Sequence, residues 1–472
     1  LVSGSGETLA VGSHKLTSHR DGPRHEQDPE EWWRAVSAAC REAFSVLPAG
    51  FTISGVAVDG TSGTILLVDG GGRPLTPGLM YDDSRATDET KRVNEAGAET
   101  WAILGYHRMQ APWGLPKLLW LLGQRRRLDA GTRLAHQADF INRRLVGDEV
   151  ATDTSNSLKT GVDLINERWP LEVFGALGVP SELLPTVVRA GTSLGVVSAD
   201  AAAQTGIPQG TPVIAGMTDG CAAQLAAGVL SGGSWNSVLG TTLVLKGVTP
   251  DLIRDPAGVV YSHRSPDGNW LPGGASSVGA GAISKYFPGR DLELLGRQAA
   301  EREPAATVTY PLHGHGERFP FVAPDAERFT LGQAADEIDQ YAALLQGVAF
   351  VERLCVDYLD TLGAPVGGAF VLTGGGAKSR YWCQLRADVL GRPVSLPENA
   401  EPALGMAVLA AAAGRKVEDV AGAMVRIREV IDPRPDHVGR FREPYLRLVD
   451  ELALRGWVTR AVAQHAHQRA AP

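Results

Sequence analysis

Two groups of residues in the stretch 213–246 have types and spacing suited to chemistry. Asp219 follows the run Val213-Ile214-Ala215-Gly216-Met217-Thr218, which reads as an apolar strand, and it precedes a small-residue helix. An acid at the carboxyl end of a buried strand stands where open α/β sheets place their reacting groups. A carboxylate there can take a proton from a hydroxyl. Further on, Gly240-Thr241-Thr242 falls at the bend of a β-hairpin. Such a turn presents backbone N–H groups and two hydroxyls, the donors that polyphosphate oxygens need. A base and a phosphate cradle are one reading of this segment; a helix cap at Asp219 and a plain turn at Gly240 are the other.

A second glycine-rich site follows the expected strand 369–372. Gly374-Gly375-Gly376-Ala377-Lys378-Ser379 leads into a helix, and a helix N-terminus reached through glycines lets an anionic ligand approach the backbone. Tight strand–helix packing explains the same glycines, and no Gly-Lys-Ser/Thr stands at P-loop spacing. Asp82-Asp83 with Arg85 suits either sugar hydroxyls or a solvated turn. His136, His313 and His315 show no metal-ligand spacing, nor do Cys40, Cys221, Cys355 and Cys383, so no metal site is expected. Trp32, Trp33, Trp113 and Trp120 fall at helical or loop positions and read as core.

The elements that position these residues need more than one core. A chain of 472 residues suggests two domains of about 200 residues each. With 44% hydrophobic residues and a net charge of −8, it has no basic footprint for nucleic acid or an anionic membrane. The N-terminus has no apolar signal region, and the small-apolar run 404–413 is too short for a membrane span and reads as a buried helix. The scattered thiols fit a reducing compartment, so the cytoplasm is expected.

Leu1-Val2 read as the end of a strand, 3–7 as a turn and 8–17 as a return strand, which places the domain's first strand upstream of Leu1. Asp28 caps a helix that runs to about Leu47. Strands follow at 53–59 and 64–69. Helical pattern then dominates 88–146, interrupted at Pro112 and Pro116, and 152–159 reads as a polar loop. A helix at 198–206 precedes the strand at 213. After Gly228 the grammar repeats: hairpins at 234–246 and 259–272, a helix start at 273–285, a long helix at 335–362, then strand 369–372 and helix 379–391. A terminal helix covers 444–468. Two related α/β domains with a cleft between them are expected.

Taken in order, the strand–Asp59-Gly60-Thr61-Ser62-Gly63-Thr64–strand unit, Tyr81-Asp82-Asp83-Ser84-Arg85, Pro116-Lys117-Leu118-Leu119-Trp120, Thr152-Asp153-Thr154-Ser155-Asn156, Gly216-Met217-Thr218-Asp219-Gly220, Leu239-Gly240-Thr241-Thr242, Gly273-Gly274-Ala275-Ser276 and Thr373–Ser379 resemble the FGGY carbohydrate kinases. The resemblance runs from the first residue to about Gly414. It implies an α/β protein of two RNase H-like domains of the actin/hexokinase-like ATPase fold, facing an interdomain cleft. Residues 1–229 would form the sugar-binding domain and 230–472 the ATP-binding domain.

By that resemblance Asp219 is the general base, Gly240 and Thr241 with Thr242 bind the transferring phosphate, and Gly279 contacts nucleotide. Gly375, Gly376, Ala377, Lys378 and Ser379 match the adenosine motif, with Ser379 where relatives often carry Asn. The family's first phosphate loop, whose acid helps hold Mg²⁺, is expected just before Leu1. The family reads its acceptor largely at the turn after the second strand. Glycerol kinases place Arg-Glu where this chain has Thr61-Ser62, and xylulokinases place Met-His there.

The turn, with Tyr261-Ser262-His263-Arg264 and Gly316-Glu317-Arg318-Phe319-Pro320, is most similar to the D-ribulose kinase branch. The expectation is ATP- and Mg²⁺-dependent phosphorylation of D-ribulose, with Thr61, Ser62, Asp82 and Asp219 binding the sugar. D-xylulose, L-ribulose and ribitol are alternative acceptors, and a non-catalytic sugar-binding protein is the rival from another class. A homodimer is left open.

Overall fold

Short apolar strands alternating with self-capped helices build the chain, seen here in a computed structural model that describes residues 1–48, 50–125 and 128–470. It divides into two compact units. Unit 1 comprises Leu1–Gly228, His263–Asn269 and Asn399–Arg426; unit 2 comprises Val229–Ser262, Trp270–Glu398 and Ile427–Pro472.

In unit 1 the helix Pro29–Ser45 begins as its sequence dictates. The Asp28 carboxylate accepts the Glu30 N–H at 2.9 Å, proline occupies the first turn, and Glu30 and Glu31 face the positive end of the helix dipole. Trp32 and Trp33 are buried and donate their indole N–H groups to Gln27 and Gln204. The core packs against a five-stranded antiparallel sheet ordered His19–Asp21, Arg24–Gln27, Gly78–Leu79, Ile65–Val68 and Arg133–His136. A three-stranded sheet holds Val56–Ala57, Pro212–Ile214 and Ser193–Val196, the first pair parallel. The helix Pro402–Ala411, read from the small-apolar run, packs on the helix Asp219–Ala226. Among the described residues no helix is long and apolar enough to cross a membrane.

Several expected elements differ. Residues 88–146 are mainly helical, as expected, but a strand interrupts them: helices Thr87–Ile103 and Gly114–Gly123 precede the strand Arg133–His136, and the helix Gln137–Val146 follows. The strand exists because it pairs with Ile65–Val68, a partner far away in sequence. Pro116 sits in the first turn of its helix, where a missing N–H costs little. The turn at 3–7 forms, with Ser3 N–H on the Glu7 carbonyl at 2.8 Å. The return strand 8–17 does not form, having only the single Val2–Thr8 bridge among the described residues. The expected strand 53–59 shortens to Val56–Ala57. The terminal helix is two helices, Arg442–Leu454 and Arg460–Arg469, parted at Gly456, whose φ of +75° no helix interior allows.

Unit 2 carries a seven-stranded mixed sheet ordered Tyr261–Arg264, Trp270–Ala275, Leu243–Gly247, Trp235–Leu239, Phe370–Thr373, Val394–Pro397 and Ile427–Ile431. The central strands Trp235–Leu239 and Phe370–Thr373 run parallel, so a crossover must join them; the long helix Glu337–Thr361 lies within it, capped by Asp336. Glu352 on that helix and Arg386 on the helix Arg380–Leu390 are fully buried and form a two-pronged ion pair at 2.6 and 2.7 Å. Arg386 also donates to Ser237 of the central strand at 2.7 Å. One charge pair therefore pins two helices to the sheet.

Glu352→Gln leaves the Arg386 guanidinium without its carboxylate in the interior. Removing one partner of a buried pair costs about 3–5 kcal/mol, which is expected as a lower urea midpoint at unchanged slope. A midpoint equal to that of the parent protein would show that the pair does not hold the unit together.

Candidate functional site

In unit 1 two strand ends come together. Gly60 and Thr218 form a parallel bridge; the Gly60 N–H reaches the Met217 carbonyl at 3.4 Å and the Asp219 N–H reaches the Gly60 carbonyl at 2.9 Å. The turn beginning at Asp59 is thereby laid beside Thr218-Asp219. Asp219 opens the helix Asp219–Ala226, but Thr218 is the cap residue. The Asp219 carboxylate is exposed and accepts the adjacent Gly220 N–H at 2.6 Å. Thr218 holds the cap position, and the carboxylate bonds one first-turn N–H of its own helix while staying open to solvent. Asp59 is a further acid at this place. Burial first, and then the charge of Asp219, push its carboxyl above the usual range. Asp59 carries no role in the motif reading of the sequence; its position at a parallel strand end, like that of Asp219, is the signal that marks it.

Within the turn, Thr61 and Ser62 behave differently. The Thr61 N–H and hydroxyl both donate to Gln137 Oε1 at 2.9 Å, and its hydroxyl meets that of Thr64 at 2.6 Å. Ser62 gives its carbonyl to the Lys159 ammonium at 3.2 Å, while its hydroxyl is shielded from solvent and has no partner among the described residues. A buried unsatisfied hydroxyl is costly unless something completes it.

Asp82 has protein partners of its own: His25 Nδ1 at 2.5 Å and Arg20 at 2.9 Å. Burial works against the charge of this carboxylate, but those two partners hold it below the usual range. Asp83 is buried and gripped by Arg85 at 2.6 and 2.9 Å and by the His25 N–H at 2.7 Å. Arg85 also stacks on Trp120, 4.7 Å from its ring centre. The Asp-Asp-Arg turn is an ion-pair network rather than a solvated loop.

The expected polar loop 152–159 is buried. The Asp153 carboxylate accepts the Ser155 and Asn156 N–H groups at 2.8 Å, and burial pushes it up to about 6. His136 is also buried, held by Asp139, Thr152 and Thr160 at 2.7–2.9 Å, an ordinary satisfied histidine. Glu303, Asp388 and His437 bring ligand-type atoms within 4.8 Å of one another, but Arg434 already occupies them, at 2.6 Å from both Glu303 and Asp388.

In unit 2 three glycine-bearing segments converge on one hairpin turn. Gly240, Thr241 and Thr242 join the strands Trp235–Leu239 and Leu243–Gly247, and Thr241 is exposed. The turn is braced from 278–281: Ala280 N–H meets the Gly240 carbonyl at 2.9 Å and Gly281 N–H the Thr241 carbonyl at 3.1 Å. A Cβ on Gly279 would lie 2.4 Å from the Thr241 oxygen, so only glycine fits there. Gly374 has φ +80°, and a Cβ on it would lie 2.7 Å from the Leu239 oxygen. Beyond it, Gly375, Gly376, Ala377 and Lys378 form a 3₁₀ turn, and the Ser379 hydroxyl caps the helix Arg380–Leu390 by accepting the Trp382 N–H at 3.2 Å. A cavity of about 670 Å³ opens here, lined by Gly375, Gly376, Lys378, Ser379, Ile283 and Tyr341. Its size, within the roughly 300–1,000 Å³ range of small-molecule pockets, and its glycine wall fit a nucleotide.

Residues 1–226 match the N-terminal domain and residues 235–414 the C-terminal domain of the FGGY family of carbohydrate kinases. The chain is 30% identical over 461 residues to a xylulose kinase of Streptomyces rubiginosus, covering 95% of this chain and 92% of that one. It is 28% identical to an autoinducer-2 kinase of Photorhabdus laumondii, covering 86% and 82%. The solved xylulose kinase from Rhodospirillum rubrum superposes with a TM-score of 0.83 at 26% identity, covering 93% of this chain and 92% of that one. The mixed α/β architecture is the two-domain actin/hexokinase-like ATPase fold expected from the motifs, and the chain belongs to the FGGY family of carbohydrate kinases.

Proposed function

We propose that this protein transfers the γ-phosphate of ATP to the terminal hydroxyl of a ketopentose, with D-ribulose as the preferred acceptor. The observation that carries the reading is Asp219: an exposed carboxylate at a strand end, past the cap residue Thr218, beside a turn whose Ser62 hydroxyl has no partner among the described residues. Asp219 takes the proton as the sugar oxygen forms its bond to phosphorus, and the bond from phosphorus to the departing ADP oxygen breaks in line. Thr241 and the N–H groups of its turn stabilise the charge on the moving phosphoryl group. Thr61, Ser62 and Asp82, with Asp219, hold the sugar within residues 1–229. Gly279 and Gly375–Ser379 hold the nucleotide within residues 230–472. Mg²⁺ carried on the ATP phosphates supplies charge neutralisation there. None of the four cysteines forms a disulfide, and three of them are buried, which accords with a cytoplasmic enzyme.

A second reading is a D-xylulose kinase, favoured by the names of the relatives from Streptomyces rubiginosus and Rhodospirillum rubrum. Against it stands the Thr61-Ser62 pair. Xylulokinases of the family place Met-His at this turn, whereas Ser62 offers a small neutral hydroxyl that can donate or accept a hydrogen bond.

Two outcomes test the reading. Asp219→Asn is expected to lower kcat by ~10²-fold or more with KM for ATP nearly unchanged; a variant that keeps most of its turnover removes Asp219 from the mechanism. On a panel of D-ribulose, D-xylulose, L-ribulose, ribitol and glycerol, D-ribulose is expected to be best. Ser62→Ala should cut its kcat/KM by ~5- to 30-fold, the loss of about 1–2 kcal/mol of hydrogen bonding. D-xylulose or glycerol as the best substrate, or an alanine variant equal to the parent, contradicts the ribulose assignment.

A further inference from the structure

Polar residues are costly to bury, yet Thr152, Asp153, Thr154, Ser155, Asn156 and Ser157 are each no more than 2% exposed. Their loop is folded by its own acid. The Asp153 carboxylate takes the Ser155 and Asn156 N–H groups and, at 2.7 Å, the Asn156 side-chain amide, while its carbonyl accepts the Ser157 hydroxyl at 2.6 Å. This internal bracing frees the ends of the loop to act on other elements.

At one end the Ser155 hydroxyl accepts the Thr218 N–H at 3.1 Å and also lies 3.1 Å from the Thr218 hydroxyl and 3.2 Å from His263 Nδ1. Thr218, buried itself, is the residue before Asp219. At the other end the Lys159 ammonium donates to the Ser62 carbonyl at 3.2 Å, and its Cδ lies 3.1 Å from where a Gly63 Cβ would stand. Between them, Asn156 Oδ1 lies 3.4 Å from a Cβ position on Gly60. One rigid loop therefore touches both strand ends of the candidate sugar site.

We propose that the buried loop 152–160 is a spacer that sets the base relative to the acceptor-reading hydroxyl, with Ser155 and Lys159 as its positioning residues. Ser155 acts on Asp219 through Thr218, and Lys159 acts on Ser62 through its carbonyl. The inference rests on the roles proposed above for Asp219 and Ser62. Because a misplacement of about 1 Å can cost ~10²-fold in rate, modest slackening at either end is measurable, and the two ends affect different kinetic constants.

The test pairs steady-state kinetics with amide hydrogen exchange on the full chain. Ser155→Ala is expected to lower kcat for the best ketose ~10-fold with KM for ATP unchanged, and Lys159→Met to raise KM for the ketose ~5- to 10-fold at near-parental kcat. Ser155→Thr and Lys159→Arg, which keep the donor or acceptor, should recover most of each loss. Exchange at the Thr218 amide should quicken in Ser155→Ala and stay slow in Lys159→Met. Parental kcat and Thr218 exchange in Ser155→Ala would overturn the spacer, as would two variants that shift kcat and KM identically. If the parent protein phosphorylates no member of the panel, the proposed activity fails, while the exchange data still decide whether Ser155 holds Thr218.

Discussion

The pairing of Gly60 with Thr218 is the constraint on which the proposed sugar site depends. Two parallel strands end side by side, and the hydrogen bond from the Asp219 N–H to the Gly60 carbonyl at 2.9 Å closes the pair. The role proposed for Asp219 depends on that closure. The helix begins at Asp219 with Thr218 as its cap residue, so the carboxylate lies one position past the cap. The turn that starts at Asp59 is forced alongside, and with it an acid whose proton is held more tightly by burial and, after that, by the nearby charge of Asp219. An ordinary helix start would satisfy the local sequence equally well; the neighbouring strand makes the difference.

Unit 2 obeys a comparable rule with a different material. The turn Gly240-Thr241-Thr242 has no side chains large enough to hold it, so its shape is imposed by backbone from two other segments. Such close approach requires glycine at 279 and 374. Beneath the turn, the buried Glu352–Arg386 pair fixes the sheet to its helices through Ser237, which lies on the strand leading to Gly240. In the role proposed for it, a turn preformed in this way would keep its N–H groups aimed without reorganising during reaction.

Local signals in the sequence are read correctly where the physics is local. Asp28, Ser198 with Gly206, and Ser379 with Gly391 mark helix ends by hydrogen bonds that span only a few residues. The long helix Glu337–Thr361 and both hairpins of unit 2 are equally legible. The strand Arg133–His136 is not, since it owes its existence to Ile65–Val68 and lies within a stretch of helical composition. The burial of Thr152–Ser157 is hidden for a similar reason: a run of Thr, Asp, Ser and Asn reads as solvated until its internal hydrogen bonds are seen. The turn at Ser62 is visible in the sequence, whereas the unpartnered state of its hydroxyl is a property of packing alone.

The most direct measurement is a crystal structure of the full chain with D-ribulose bound in the absence of nucleotide. The expected result is a terminal sugar hydroxyl within about 2.6–3.2 Å of the Asp219 carboxylate, the reach a general base needs, with a second hydroxyl completing Ser62. A sugar seated away from residues 59–62 and 219, or an Asp219 carboxylate with no sugar hydroxyl within reach, would contradict the joining of base and acceptor turn at these two strand ends.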